Sequence, residues 1–127
     1  IAIGRSGFKL MAVASTWNSE LESWNSDEIR AELYISRHSD PGECKHYFNL
    51  LQRQQTIIEA ELGESLSWDS QPDRKACRIY LRKSVELQNR ADWPAQHQWL
   101  TEKLDRMHRV FSPRIKQLTL AEVELDS

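Results

Sequence analysis

Between Ile29 and Ser36 the chain alternates strictly, with Ile29, Ala31, Leu33 and Ile35 set against Arg30, Glu32, Tyr34 and Ser36. A period of two places one set on a packed face and the other on the opposite face of a strand. The period then changes. Tyr47, Phe48, Leu51, Ile58 and Leu62 recur at threes and fours, with Leu50 and Ile57 on the flanks, which predicts one long helix over 41–62. Asp40 suits its N-cap, Pro41 its first position and Glu43 the third position of a capping box, and Gly63 suits a left-handed end. A helix of that length spans roughly 33 Å, enough to cross a sheet.

The remaining elements follow by the same reasoning. Residues 1–14 read as a strand whose inward set is Phe8, Leu10, Ala12 and Ala14, with Lys9, Met11 and Val13 on the other side. Residues 15–27 are polar and read as a hairpin loop holding Trp17 and Trp24, which we expect to fold back over the sheet. Leu66 and Trp68 point inward from a short strand, with Ser67 and Asp69 outward. Cys77, Ile79 and Leu81 alternate with Arg78, Tyr80 and Arg82 in another half-buried strand. Asp92 and Pro94 open a second helix whose stripe is Trp93, His97, Leu100, Leu104, Met107 and Phe111. Ser112-Pro113 is expected to end it and to start a short helix, PRIKQL, ahead of an acidic tail over 118–127.

Two strand-strand-helix units therefore follow one another, with RAELYIS answering KACRIYLR and Tyr34 answering Tyr80. The expected fold class is α+β, a two-layer sandwich. A four-stranded, mainly antiparallel sheet carries two long helices on one face and leaves the other open.

Composition sets limits on this picture. The chain has 127 residues, 39% hydrophobic and 28% charged, which suits one domain. No apolar run is long enough for a membrane span, and no signal peptide is visible. Two cysteines, Cys44 and Cys77, are too few for a disulfide scaffold; we read both as reduced and the protein as cytoplasmic. The first residue is Ile1 rather than a methionine, and we expect the domain to be a piece of a longer chain. Charge is unevenly spread. Residues 74–116 hold eleven Lys or Arg against four acids, a net +7, and the remainder carries −9. Such polarity orients a chain on nucleic acid or on an acidic partner, or else is spent on pairing between the halves.

The chemical motifs are weak. Glu43-Cys44-Lys45 matches the E-x-K half of a PD-(D/E)XK nuclease site, in which carboxylates hold a metal ion on adjacent strands. Here the letters open a helix, and Pro72-Asp73-Arg74-Lys75 falls in a turn. Cys44 and His46 form a bare pair, and His97 and His108 stand about 16 Å apart along their helix, too far to share an ion. Gly4 and Gly7 bracket a G-x-x-G tetrapeptide that fits a bend into the first strand better than a phosphate cradle. No nucleophile elbow, Walker loop or dinucleotide fingerprint occurs, so we expect no catalytic residues, no metal and no cofactor. The sharper candidate is the open sheet face. Arg30, Tyr34, Arg78, Tyr80 and Arg82 interleave rings with guanidinium groups, a composition suited to stacking on single-stranded nucleic acid or to a protein interface.

At IGRSGF, RAELYI, IEAELGESLSW, KACRIYL and WPAQHQWL…VFSPRIK the chain resembles an uncharacterised prokaryotic family, the domain of unknown function forty-two sixty-eight. The resemblance implies the C-terminal domain of a protein whose front part looks like a PD-(D/E)XK endonuclease. It implies an accessory role in nucleic-acid metabolism or defence, and it carries over no catalytic residues. The expected function is non-catalytic recognition, with nucleic acid met on the Arg/Tyr face and the nuclease-like part as partner. The alternative is an oligomerisation or docking module, a homodimer included, without nucleic-acid contact.

Overall fold

The computed structural model describes residues 7–18, 23–36, 41–70 and 76–126, with side chains at 7–16, 27–36, 44–70 and 76–118. Four strands, β1 (Phe8–Asn18), β2 (Ser23–Ser36), β3 (Ser67–Asp69) and β4 (Ala76–Ser84), form one antiparallel sheet in the order β1-β2-β4-β3. Three α-helices accompany it, α1 (Pro41–Gln52), α2 (Gln55–Leu62) and α3 (Trp93–Asp126), and a 3₁₀ turn at Arg90–Asp92 leads into the last. The fold is the expected α+β sandwich built from two strand-strand-helix units, with β2 and β4 side by side at its centre.

Each unit's helices pack over the other unit's strands. The first helix, α1, lies against β4 and β2, while α3 lies against β2 and β1. One core results. Phe8, Leu10, Ala31, Leu33, Ile35, Cys77, Ile79 and Leu81 from the sheet meet Tyr47, Phe48, Leu51, Ile58, Met107, Phe111 and Ile115 from the helices, all buried. At the start of β1 the chain needs a glycine: Gly7 sits at φ +91, its carbonyl accepts from Ser36 N–H at 2.8 Å, and a Cβ there would meet Ser36 O at 2.9 Å. The other members of the G-x-x-G, Gly4 to Ser6, lie outside the described residues.

Several boundaries differ from expectation, each for a visible reason. The segment over 15–27 is mostly strand: β1 runs to Asn18 and β2 starts at Ser23, with Trp17 opposite Trp24. A register shift between Ser15 and Trp17 absorbs the irregularity that made the sequence look like loop. The side chains of both tryptophans lie outside the described set. Within β1, Phe8 and Leu10 are buried as expected, but Ala12 and Ala14 are exposed on the same face.

The helix over 41–62 is two helices. Between Leu51 and Ile57 stand five polar residues with nothing to hold them to the core. The ladder tightens there, Gln54 N–H donating to Leu51 O at 2.9 Å before Ile58 N–H restarts it on Gln54 O. Arg114 Nε from α3 reaches the break and donates to Gln54 Oε1 at 3.3 Å. Gly63 ends α2 at φ 84, its N–H donating to Glu59 O, as expected of a left-handed cap. Asp40 lies outside the described residues.

The expected stop at Pro113 does not occur. The helix α3 runs through it to Asp126, so the tail over 118–126 is helical backbone. A mid-helix proline costs about 3 kcal/mol. Here Met107, Phe111, Ile115 and Leu118 continue one buried stripe across it, and full burial of such side chains contributes about 1.5–3 kcal/mol each. At its N-terminal end that stripe is displaced from the expected one. Trp93 and His97 are exposed, and Gln96 is buried instead, donating to Glu86 O and to Asp92 Oδ2. Ion pairs of Lys103 with Glu64 and of Arg114 with Glu61 fasten α3 to the α2 region.

The candidate interaction face of the sheet

On the face away from the core cluster, the strand registers arrange side chains in rows. The first row is Lys9, Tyr34, Arg78 and Asp69, from β1, β2, β4 and β3 in turn. Next come Met11, Glu32, Tyr80 and Ser67, then Val13, Arg30 and Arg82, then Ser15, Glu28 and Ser84. The five residues expected to form a recognition surface, Arg30, Tyr34, Arg78, Tyr80 and Arg82, are therefore neighbours on two central strands. Alternation alone put them there.

Their accessibility is not uniform, and this corrects the expectation of an open face. Tyr80 is only 5% exposed and Arg30 only 9%; Tyr34, Arg78 and Arg82 are half-buried. The physical reason is a charge cluster. Glu28, Arg30 and Glu32 alternate acid, base, acid along β2, with Glu28 and Glu32 at 2% and 3% exposure. Arg30 Nε lies 3.3 Å from Glu32 Oε1, Arg30 Nη1 lies 3.7 Å from Glu28 Oε1, and Arg82 Nε lies 3.5 Å from Glu28 Oε2. The Arg30 guanidinium also covers the Tyr80 ring, 5.4 Å from its centroid.

Glu28 is the residue that sequence reasoning missed. With Glu32 as the sole acid of the Ile29–Ser36 alternation, Arg30, Arg78 and Arg82 lack enough partners to leave water. Carrying the alternation of β2 one step further back, from Arg30 to Glu28, supplies the second acid. These pairs are charge contacts rather than aligned hydrogen bonds, since Glu28 Oε1 and Oε2, Arg30 Nε and Glu32 Oε1 have no hydrogen-bond partner. Burial holds the Glu32 carboxyl above the usual range, against the opposing pull of Arg30 and Arg78, with Asp69 adding to the rise.

Within the cluster the Arg30 guanidinium stands between the two carboxyl groups and contacts both. Among the described residues no three His, Cys, Asp or Glu gather as a metal site. Lys45 lies in α1 rather than on a strand, as does the backbone of Glu43, whose side chain is outside the described set. Asp73, Arg74 and Lys75 are also outside it. Part of the basic excess over 74–116 is met by acids elsewhere in the chain, Lys103 pairing with Glu64, Arg114 with Glu61 and Arg82 with Glu28, while Arg106 and Arg109 pair with Glu102 and Asp105 of the same segment. No helix among the described residues is long and apolar enough to cross a membrane.

Fold and face together define a two-layer α+β domain with an ionic, aromatic-bearing sheet surface. The chain belongs to the family described as Domain of unknown function (DUF4268), whose profile matches residues 1–115. No curated protein and no solved structure matches it.

Proposed function

We propose that this domain is a non-catalytic docking module that meets a protein surface through the face carrying Tyr34 and Arg78. One observation carries the reading. Arg30 and Arg82 are already balanced by Glu28 and Glu32, and Tyr80 lies under Arg30, so little cation or ring is left for phosphates and bases. What remains accessible is the row of Lys9, Tyr34 and Arg78 with Met11 beside it, the latter 38% exposed. Tyr, Arg and Met are enriched at protein interfaces. The nuclease-like part implied by the family resemblance is the partner we put forward.

A second reading rests on the same row. A tyrosine flanked by a lysine and an arginine also suits a single stacked base with its phosphates. Titration of the chain with the separately produced nuclease-like part, and in parallel with single-stranded and duplex oligonucleotides at low salt, separates the two. Docking predicts saturable protein binding that Tyr34→Ala with Arg78→Ala weakens at least about fivefold, which is about 1 kcal/mol. Oligonucleotide binding that falls steeply with salt, without protein binding, would replace the first reading with the second.

A further inference from the structure

Cys44, in the first turns of α1, and Cys77, at the start of β4, bring their Sγ atoms to 3.0 Å, 33 residues apart in sequence. Both are buried, at 1% and 0% exposure, inside the core cluster. The separation is only about 1 Å longer than a disulfide bond. Two sulfurs facing each other this closely from a helix and a strand need little backbone movement to join. Geometry of this kind distinguishes them from a single buried cysteine, which behaves as an inert small hydrophobe.

We propose that Cys44 and Cys77 are a modification site, a dithiol that a low-molecular-weight disulfide converts into a cystine cross-link between α1 and β4. One cysteine, as thiolate, attacks the reagent disulfide, forming a mixed disulfide and expelling one reagent thiol. The other cysteine then attacks the protein sulfur of that mixed disulfide and expels the second reagent thiol. Two protein thiols are oxidised, one reagent disulfide is reduced to two thiols, and the two protons pass to the leaving thiolates. Burial, and after it contact with Cys44, push the Cys77 thiol up to about 12, so little thiolate exists in the closed structure. Oxidation is accordingly slow and follows local opening.

The cross-link has a place in the architecture. Cys77 is paired across the strands with Ile35, and the next pair along is Tyr34 with Arg78. A bond at Cys77 therefore anchors, from the core side, the end of the sheet that bears the accessible row. The inference rests on the sulfur geometry and stands apart from the docking reading.

The test is intact-mass analysis of the purified chain after incubation with oxidised glutathione and alkylation of remaining thiols. We expect a monomer lighter by two hydrogens, without glutathione, and a peptide joining Cys44 to Cys77. The cross-linked form should melt roughly 10 °C higher, from the closed loop's effect on the unfolded chain, and dithiothreitol should reverse this. Cys44→Ser should leave Cys77 able only to form a mixed disulfide. The wild-type measurement decides the matter even where that variant fails to fold. Both thiols alkylated on unfolding after prolonged exposure, or stable glutathione adducts without an internal bond, would overturn the proposal.

Discussion

The two faces of β2 are buried to nearly the same degree by opposite means. Ala31, Leu33 and Ile35 face the helices at 0%, 0% and 1% exposure, while Glu28, Arg30 and Glu32 on the other side reach 2%, 9% and 3%. On the helix side, burial removes apolar surface from water, at about 25 cal/mol per Å², and stabilises the fold directly. On the ionic side, desolvation of the charges opposes their attraction, and the net gain is small. Burial is therefore a poor guide to where stability resides. The apolar face holds the sheet to its helices; the ionic face fixes which side chains of the sheet remain accessible.

Breaking each face should expose the difference. The largest effect belongs to the apolar side: Phe111→Ala, at a fully buried position of α3, should cost about 3–5 kcal/mol in urea denaturation. A loss under 1 kcal/mol would mean that α3 does not seal this core. The ionic side should respond differently to two substitutions. Glu28→Ala leaves Arg30 and Arg82 short of a partner and should cost about 2–3 kcal/mol. Replacing Glu28, Arg30, Glu32 and Arg82 together with Met or Leu should change stability by no more than about 1 kcal/mol. Equal losses from the single and the fourfold replacement would show that the cluster stabilises the fold outright.

Trp68 lies between these extremes. Alternation correctly placed it on the helix side, opposite Ile79, where it meets Phe48 edge-on with centroids 5.8 Å apart. It is half-buried rather than fully so, and its Nε1 donates to Glu59 Oε2 at 3.4 Å. The strand faces were legible because a period of two is local and burial enforces it. That is why Tyr34, Arg78, Tyr80, Arg30 and Arg82 could be gathered on one face from the residues alone. Helix continuity was less legible. Whether a chain crosses Pro113, or breaks at Gln54, depends on whether Ile115 and Leu118 find a core and whether Arg114 reaches back to Gln54. The first is a tertiary fact with no local signature, and the second leaves only the five polar residues between Leu51 and Ile57 as its trace. Exposure of the ionic face is less legible for another reason: it depends on the acids that share the face, and the alternation over Ile29–Ser36 begins one residue after Glu28.

A smaller effect tests the accessible row against the buried cluster. Tyr34→Ala with Arg78→Ala should change stability by no more than about 1 kcal/mol, since both side chains are half-buried, while weakening partner binding by at least about that amount. The combination Tyr80→Ala with Arg82→Ala should act mainly through the fold instead, because Tyr80 is packed beneath Arg30. If the second pair weakened binding without loss of stability, the recognition surface would be centred on the cluster after all.

The smallest effect concerns pH. With its folded-state pKa raised by burial above the ordinary 4.5, Glu32 keeps its proton in the folded chain at pH values where the unfolded chain has released it. The unfolded state then binds fewer protons, so Glu32's contribution to stability falls as pH rises from about 4.5 through the folded value. Glu32→Gln removes that dependence. Below the ordinary value both side chains are neutral and the two proteins should differ little; toward neutral pH the variant should gain on the wild type. Urea midpoints of the two proteins at acid and neutral pH measure the gap directly. A gap that widened instead in favour of wild type toward neutral pH would mean that attraction from Arg30 and Arg78 outweighs desolvation. The ionic face would then be a stabilising network, and its contrast with the apolar face would be one of degree.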